Sequence, residues 1–184
     1  MSTASALAAI FISLFLAPAV DTELEARRTE ALLLHRVLDV SGLQVQGRDG
    51  LWRDRSPPAA HVTVFHIWAV ECGPCVAELP RLRDITAGFR GERGIRFIFV
   101  TETDDDTLLR KFLVERRSAV PKEPVYRDLD GREGRLRHAL GVLSQPLTLV
   151  VDRDFVVRQA FIGSVEMRRN ELVDSIERLL RAVK

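Results

Sequence analysis

Hydrophobic and polar positions alternate along this chain with two different periods. Nearly continuous runs of β-branched and aromatic residues predict buried strands, whereas apolar residues spaced three or four positions apart predict helices. The predicted strands, in chain order, are HVTVFHIW, GIRFIFVTE, PVYRD, LTLVVD and VVRQAFIG. A last helix is predicted over Glu166 to Val183, whose apolar residues form one stripe. This order of elements predicts an α/β fold with a mixed central sheet covered by helices on both faces.

Three further helices are predicted between the strands. One begins near the two cysteines and runs to about Phe89, with Pro80 inside it as a kink. The second covers DDTLLRKFLVERR, where acidic residues suit the N-terminal end of a helix. The third is short and covers GREGRLRHALGV. Its arginines are expected on a solvated helix face: Arg132, Arg135 and Arg137.

The region before the first buried strand is predicted to form a helix and a hairpin. Residues 21–38 carry apolar side chains with a helical spacing. The positions expected to face the core are Leu24, Leu32, Leu33, Val37 and Leu38. Residues 38–54 contain short alternating runs broken by glycines, which predicts a hairpin, and Pro57-Pro58 closes it with a rigid turn.

Residues 1–20 contain no charged side chain and centre on the apolar run ALAAIFISLFLA. Ala17-Pro18-Ala19 has the small-x-small form of a signal-peptide cleavage site. Because about 20 apolar or small residues can span a bilayer core, a retained anchor is the second interpretation, and a first helix of a cytosolic protein is the third. The predicted division is a signal peptide or membrane anchor (1–19), an N-terminal helical extension (20–37) and a main domain (38–184).

Composition narrows the class of protein. The chain has 184 residues, 46% hydrophobic and 29% charged, which is typical of a folded globular domain. Its formal net charge of +1 gives no electrostatic argument for a nucleic-acid partner.

The two cysteines, Cys72 and Cys75, lie between a predicted buried strand and a predicted helix. The first N–H groups of a helix and its dipole stabilise a thiolate, and the CxxC spacing allows a small disulfide. Pro74 is compatible with the first helical turn, where its missing N–H costs little.

Three interpretations of this cysteine pair are open. A redox-active dithiol is favoured by the strand and helix context. A structural disulfide is possible in an exported protein, but so short a loop would stabilise the fold weakly. A zinc site is the weakest, since there is no second CxxC and the histidines are scattered in sequence: His35, His61, His66 and His138.

The segment FHIWAVECGPCVAELP resembles the strand, WA-x-x-C-x-P-C motif and helix of thioredoxin-fold proteins, in particular the exported TlpA/ResA-like oxidoreductases. GIRFIFVTETDDDTLLRKFLVERR is similar to a strand and helix inserted into the basic fold in that subgroup. LGVLSQPLTLVVDRDFVVRQAFIG resembles the segment with a cis-proline, a buried strand and a closing hairpin. The resemblance runs from about Leu38 to the C-terminus and implies a thioredoxin-like main domain.

The resemblance implies roles for individual residues. Cys72 would be the exposed nucleophile and Cys75 the buried resolving thiol. Pro146 would be the cis-proline, and the backbone of Gln145 would pair with an incoming peptide. Glu78 matches the acidic residue that this subgroup has beneath the active site.

The substrate-binding and redox-tuning sets contain further residues. Trp68 is grouped with the substrate-binding residues, although its side chain is expected to pack in the core. The reducing thioredoxins share the dipeptide Gly73-Pro74, which would tune the redox potential. A carboxylate at Glu71 would disfavour the Cys72 thiolate. His66 is either a core histidine with one hydrogen bond or a proton relay for Cys75.

Two more positions depart from the family pattern. Gln145 replaces a residue that is usually aliphatic or threonine, and Phe155 stands where a turn glycine is common. These departures affect the expected substrate preference and redox tuning, not the expected fold.

The predicted function is an extracytoplasmic thiol-disulfide oxidoreductase that reduces disulfides in exported proteins. The resemblance implies no metal or organic cofactor. It implies an upstream thiol donor that supplies the electrons, and one candidate is a donor embedded in the membrane. Apocytochrome c is one candidate substrate. The predicted location is the periplasm or the outer face of the cytoplasmic membrane, with residues 1–20 as a tether if they are retained.

Two alternative functions follow from the same sequence. One is a thioredoxin-fold binding or metal-delivery module without thiol-exchange turnover. The other is a thiol peroxidase, which is disfavoured because Ala69, Val70 and Glu71 stand where a peroxidatic threonine is expected.

Overall fold

A computed structural model describes residues 22–46, 51–128 and 135–182. The first helix, α1, comprises residues 22–33. The elements that follow are β1 (Leu43–Gln46), β2 (Trp52–Asp54), β3 (Val62–Trp68), α2 (Gly73–Gly88), β4 (Ile95–Thr101), α3 (Asp106–Glu115), β5 (Val125–Asp128), α4 (Arg135–Ala139), β6 (Leu147–Asp152), β7 (Val157–Ile162) and α5 (Arg169–Ala182).

The described strands form one mixed sheet of seven strands in the order β2-β1-β5-β4-β3-β6-β7. Strand β3 lies between parallel β4 and antiparallel β6. All seven residues of β3 are buried, as its continuous apolar pattern predicts for a strand covered on both faces. The predicted mixed sheet is confirmed.

Helices cover both faces of this sheet, also as predicted. One face packs against α1 through Leu33, against α4 through Leu136, and against Leu140, which follows α4. The opposite face packs against α2, α3 and α5 through a second cluster that includes Leu79, Leu109 and Ile176. Burying both faces against helices is the arrangement that stabilises a largely apolar sheet.

The predicted hairpin is part of the sheet. Strands β1 and β2 pair antiparallel, and β1 also pairs antiparallel with β5.

Among the central helices, α2 ends at Gly88 with Phe89 as its C-cap. Helix α3 begins after Asp105, whose carboxylate accepts hydrogen bonds from the backbone N–H groups of Thr107 and Leu108.

The prediction that the first helix continues to Leu38 is wrong. The helix ends at residue 33, and His35 adopts a left-handed backbone conformation with φ of 67°. The backbone of His35 donates to Val157 O at 2.8 Å, and that of Leu38 donates to Phe155 O at 2.9 Å. The first bond pairs with the edge of β7 and the second with the turn before it, so the start of this edge strand does not present unpaired backbone groups.

The side chains follow this change in the backbone. Leu33 and Leu38 are buried as predicted, whereas Leu24, Leu32 and Val37 are exposed.

Phe155, at the turn between β6 and β7, has a φ of 57°, the conformation that usually favours glycine. Its ring packs 6.1 Å from that of Phe65, centroid to centroid, so this turn keeps a side chain that glycine would lack.

No helix within residues 22–46, 51–128 and 135–182 is long and apolar enough to cross a membrane. The predicted signal or anchor at residues 1–19 lies outside the described residues, as do the first residues of the predicted short helix and Val183.

Candidate active site

Cys72 and Cys75 form a disulfide at the start of α2, just beyond the carboxyl end of β3. Cys72 is the N-cap of the helix, and its Sγ accepts a hydrogen bond from the backbone N of Cys75 at 3.2 Å. Cys75 is completely buried, whereas Cys72 is half-buried. Only Cys72 therefore presents its sulfur near the surface at the positive end of a helix dipole.

Gly73 and Pro74 lie between the cysteines and are exposed. Pro74 occupies the first turn of the helix, where no intrahelical N–H bond is lost. The two residues between the cysteines therefore carry no charge and lie at the surface.

The peptide bond between Gln145 and Pro146 is cis. Pro146 directly precedes β6, whose first residue, Leu147, pairs with Ile67 near the carboxyl end of β3. The cis-proline and the cysteine loop therefore lie at the same end of the sheet. The carbonyl of buried Pro146 accepts a hydrogen bond from Gly163 N at 2.8 Å, which connects this loop to the end of β7.

Glu78 lies one helical turn beyond Cys75 and is completely buried. Its Oε2 accepts hydrogen bonds from Val165 N at 2.7 Å and from Ser164 Oγ at 2.9 Å. Burial raises the pKa of Glu78 to about 7, although both hydrogen bonds act in the opposite direction. Near neutral pH this carboxyl group therefore exists in both protonation states.

His66, on β3, faces Glu78. Its Nε2 lies 3.6 Å from Glu78 Oε1, and its Nδ1 lies 3.0 Å from Thr148 Oγ1. Burial lowers the pKa of His66 to about 3, so the ring is neutral at pH 7 and the contact with Glu78 is not an ion pair. Within the described residues, Nε2 of His66 and Oε1 of Glu78 have no hydrogen-bond partner, since the distance between them is too long for a hydrogen bond.

Glu71 directly precedes Cys72 and is exposed, and its carboxylate is held by a hydrogen bond from Thr103. The Thr103 hydroxyl donates to Glu71 Oε2 at 3.1 Å and accepts from Val70 N at 2.8 Å. The negative charge next to Cys72 is therefore in a defined position.

The side chain of Trp68, which is grouped with the substrate-binding residues in the sequence analysis, packs in the core as expected. Its side chain is only 1% exposed and packs against Phe112, with ring centroids 5.7 Å apart. Trp68 is the last residue of β3. Its ring belongs to the apolar cluster that also contains Cys75 and residues of α2 and α3.

Comparison with known proteins agrees with this geometry. No protein-family model matches the chain. Among solved structures, a protein from Chlorobium tepidum assigned as thiol:disulfide interchange protein DsbE superimposes with a TM-score of 0.63 at 21% identity, covering 79% of this chain and 98% of that one. StoA from Bacillus subtilis superimposes with a TM-score of 0.56 at 15% identity, covering 74% of this chain and 98% of that one. The chain has a thioredoxin-like fold.

The sequence comparison points to the same group of thioredoxin-like proteins. The thiol:disulfide interchange protein DsbE of Pseudomonas fluorescens biotype C is 26% identical over 123 residues, which is 66% of this chain and 64% of that protein. The matched part therefore spans just under two thirds of the relative's length. The resemblance to thioredoxin-fold oxidoreductases of the TlpA/ResA and DsbE kind is confirmed.

This thioredoxin-like site includes residues that the sequence analysis missed or placed wrongly. Arg137, expected on a solvated helix face, is only 8% exposed and pairs with the buried Glu102, with Nε 2.9 Å from Oε2. The amide of Gln145 also donates to Glu102. Glu102 and Thr103 follow β4 directly, and the carboxyl ends of parallel β3 and β4 lie at the same edge of the sheet as the cysteines. Their position after a predicted buried strand is the sequence signal that could have placed Glu102 and Thr103 in the site.

Proposed function

We propose that this protein is a thiol-disulfide oxidoreductase whose reactive group is the Cys72–Cys75 pair. The observation that carries the proposal is the asymmetric disulfide at the N-terminus of α2, with Cys72 near the surface and Cys75 buried one turn from a buried carboxyl group. The relatives named thiol:disulfide interchange proteins support the same activity.

In the reduced protein, the Cys72 thiolate attacks one sulfur of a substrate disulfide. A mixed disulfide forms between Cys72 and the substrate, and the other substrate sulfur leaves as a thiolate. Cys75 then loses its proton and attacks Cys72 Sγ, which releases the second substrate thiolate. Both substrate sulfurs are reduced, both protein cysteines are oxidised to the disulfide, and an upstream dithiol donor must reduce the protein again.

Glu78 is the proposed acceptor for the Cys75 proton. Its pKa of about 7 suits a general base at neutral pH, and it lies on the same face of α2 as Cys75. A neutral imidazole can donate at one nitrogen and accept at the other, and the Thr148 hydroxyl can do either. Thr148 and His66 can therefore adapt to both protonation states of Glu78, which makes His66 a positioning residue for the proton acceptor.

The proposed direction is reduction of substrate disulfides. Gly73-Pro74 is the dipeptide of reducing thioredoxins, whose redox potential is about −270 mV. The Glu71 carboxylate, held by Thr103, disfavours a thiolate on Cys72, so the reduced form lacks the extra stability that makes a strong oxidant.

The proposed substrates are disulfides of exported proteins, with apocytochrome c as one candidate, and the proposed location is outside the cytoplasm. The apolar, uncharged residues 1–20 support export. Whether residues 1–19 are cleaved or retained as an anchor decides whether the protein is free or tethered at the membrane.

The test of this function is covalent trapping with single-cysteine variants. Cys75→Ser retains the attacking thiol but cannot release the substrate, so it should accumulate mixed disulfides with exported proteins. Cys72→Ser should trap nothing and should lose disulfide reduction completely. Equal trapping by both variants, or by neither, would contradict the assigned roles.

Redox titration of the purified wild-type protein against dithiothreitol tests the direction. We expect a potential near that of thioredoxin, and Glu71→Gln should make the couple more oxidising because it removes the charge beside Cys72. A wild-type potential of about −120 mV, the value of a dedicated oxidase, would show that the direction is wrong.

A further inference from the structure

A buried ion pair lies beneath the segment that precedes the cis-proline. Glu102, just beyond β4, accepts from Arg137 Nε at 2.9 Å through Oε2 and at 3.1 Å through Oε1. The Glu102 side chain is 2% exposed and that of Arg137 is 10% exposed. Both charges are therefore removed from water and depend on each other.

The same pair holds residues 142–145 from the interior. Arg137 Nη1 donates to the carbonyl of Val142 at 3.5 Å and to that of Leu143. The Gln145 amide donates to Glu102 Oε2. The backbone at Val142 and Leu143 and the side chain of Gln145 are thus attached to one buried cluster.

Glu102 and its neighbour are also attached to the cysteine loop. The backbone N of Glu102 donates to Trp68 O at 2.8 Å, at the end of β3. The Thr103 hydroxyl accepts from Val70 N and donates to Glu71. The end of β4 therefore connects the cysteine loop to the loop that carries Pro146.

We propose that Glu102 and Arg137 are positioning residues that hold segment 142–145 in the conformation in which the backbone beside Pro146 receives a substrate peptide. This inference rests on the proposed oxidoreductase function. A buried ion pair contributes little net stability compared with apolar residues of similar size, so its effect here is to specify geometry. The guanidinium suits this role because its planar fork binds a carboxylate and backbone carbonyls in fixed directions. The amide of Gln145 adds the contact that an aliphatic residue at this position could not make.

The test compares two disulfides in single-turnover oxidation of the reduced protein. One is a peptide disulfide whose cysteine lies in an extended segment, and the other is 2-hydroxyethyl disulfide, which has no peptide backbone. Glu102→Gln should slow reaction with the peptide at least 10-fold and leave reaction with the small disulfide within 2-fold of wild type. The redox potential should stay near that of wild type, because the side chain of Glu102 pairs with Arg137 and Gln145 and not with a cysteine. Gln145→Leu should slow only the peptide reaction, about 3-fold.

Asp152→Asn is the matched control, since Asp152 also pairs with an arginine, Arg158, but lies at the opposite end of β6. It should leave both rates within 2-fold of wild type. If Glu102→Gln slows both disulfides equally, or neither, the inference is wrong. If Glu102→Gln does not fold, an unchanged peptide rate in Gln145→Leu overturns the inference. Wild-type protein that reacts with neither disulfide would overturn the proposed function itself, and this inference with it.

Discussion

At the scale of single residues, Glu78 combines complete burial with an ionisable group. Its pKa of about 7 lies above the ordinary value of 4.5, so the folded protein binds this proton more tightly than the unfolded chain does. The resulting stability is fully present below about pH 4.5 and is lost as the pH rises through about 7. By linkage, the free energy of unfolding falls by about 3 kcal/mol at most. This loss of stability indicates that Glu78 has a role beyond maintaining the fold.

Glu78→Gln should separate stability from activity. Glutamine keeps an acceptor for Val165 N but never ionises, so the oxidised variant should be about 1–3 kcal/mol more stable than wild type at pH 8 and nearly equal to it at pH 5. Release of substrate from the mixed disulfide should be about 10-fold slower or more at pH 7, because the proton acceptor is lost. Urea unfolding at both pH values and the decay rate of the mixed disulfide measure these effects.

Glu115→Gln on α3 is the control, since that side chain is 60% exposed and should change neither quantity. Faster release in Glu78→Gln, or equal stability at pH 8, would rule out Glu78 as the buried proton acceptor.

At the scale of elements, one buried carboxylate on α1 is attached to the end of β7 and to the residue that precedes α5. Glu30 accepts from Arg168 Nη1 at 2.6 Å and Nη2 at 3.0 Å, and from the backbone N of Ile162 at 2.8 Å. The Arg168 guanidinium also lies 4.5 Å from the centroid of the Phe161 ring. The N-terminal helix is therefore an integral part of the folded domain, although its sequence pattern alone is only moderately amphipathic.

Glu30→Gln should lower the free energy of unfolding by about 1–2 kcal/mol, because the largely buried charge of Arg168 loses its buried partner and keeps only the half-exposed carboxylate of Glu171. Glu23→Gln makes the same change on the same helix at a side chain that is 75% exposed, and it should shift stability by less than about 0.5 kcal/mol. Urea unfolding of both variants gives the comparison. Equal effects would mean that the ion pair does not attach α1 to the domain.

At the scale of the whole molecule, the reactive end of the sheet carries both the cysteine loop and the cis-proline loop, and the N-terminal helix contacts the end of β7 through Glu30. Residues 1–20 precede this helix and are apolar and uncharged. Such a segment suits delivery of the domain to the far side of a membrane, where disulfides of exported proteins are found.

A reporter fused after about residue 30 should accordingly be active only outside the cytoplasm. The protein recovered from cells should either begin near Val20 or retain the entire apolar segment in the membrane fraction. N-terminal sequencing of the two fractions distinguishes these outcomes. Full-length protein found soluble in the cytoplasm would exclude export.

The sequence by itself determined the buried strands and the position of the cysteines, because these depend on patterns among neighbouring residues. Val62–Trp68 carries apolar residues on both faces, which is typical of a covered strand, and Cys72 follows where strand changes to helix. The end of α1 was predicted wrongly because pairing of His35 and Leu38 with the β7 edge overrides a helical pattern.

Only the tertiary structure decided the burial of Arg137 and Glu102 and the contacts of His66 and Glu30. Each of these polar side chains is compatible with an exposed position when only its neighbours in sequence are considered. Their partners lie far away along the chain, 35 residues for Arg137 and Glu102 and 138 residues for Arg168 and Glu30. A charged side chain is buried only where folding places its partner next to it. The residues adjacent to it in sequence do not indicate which distant residue that partner is.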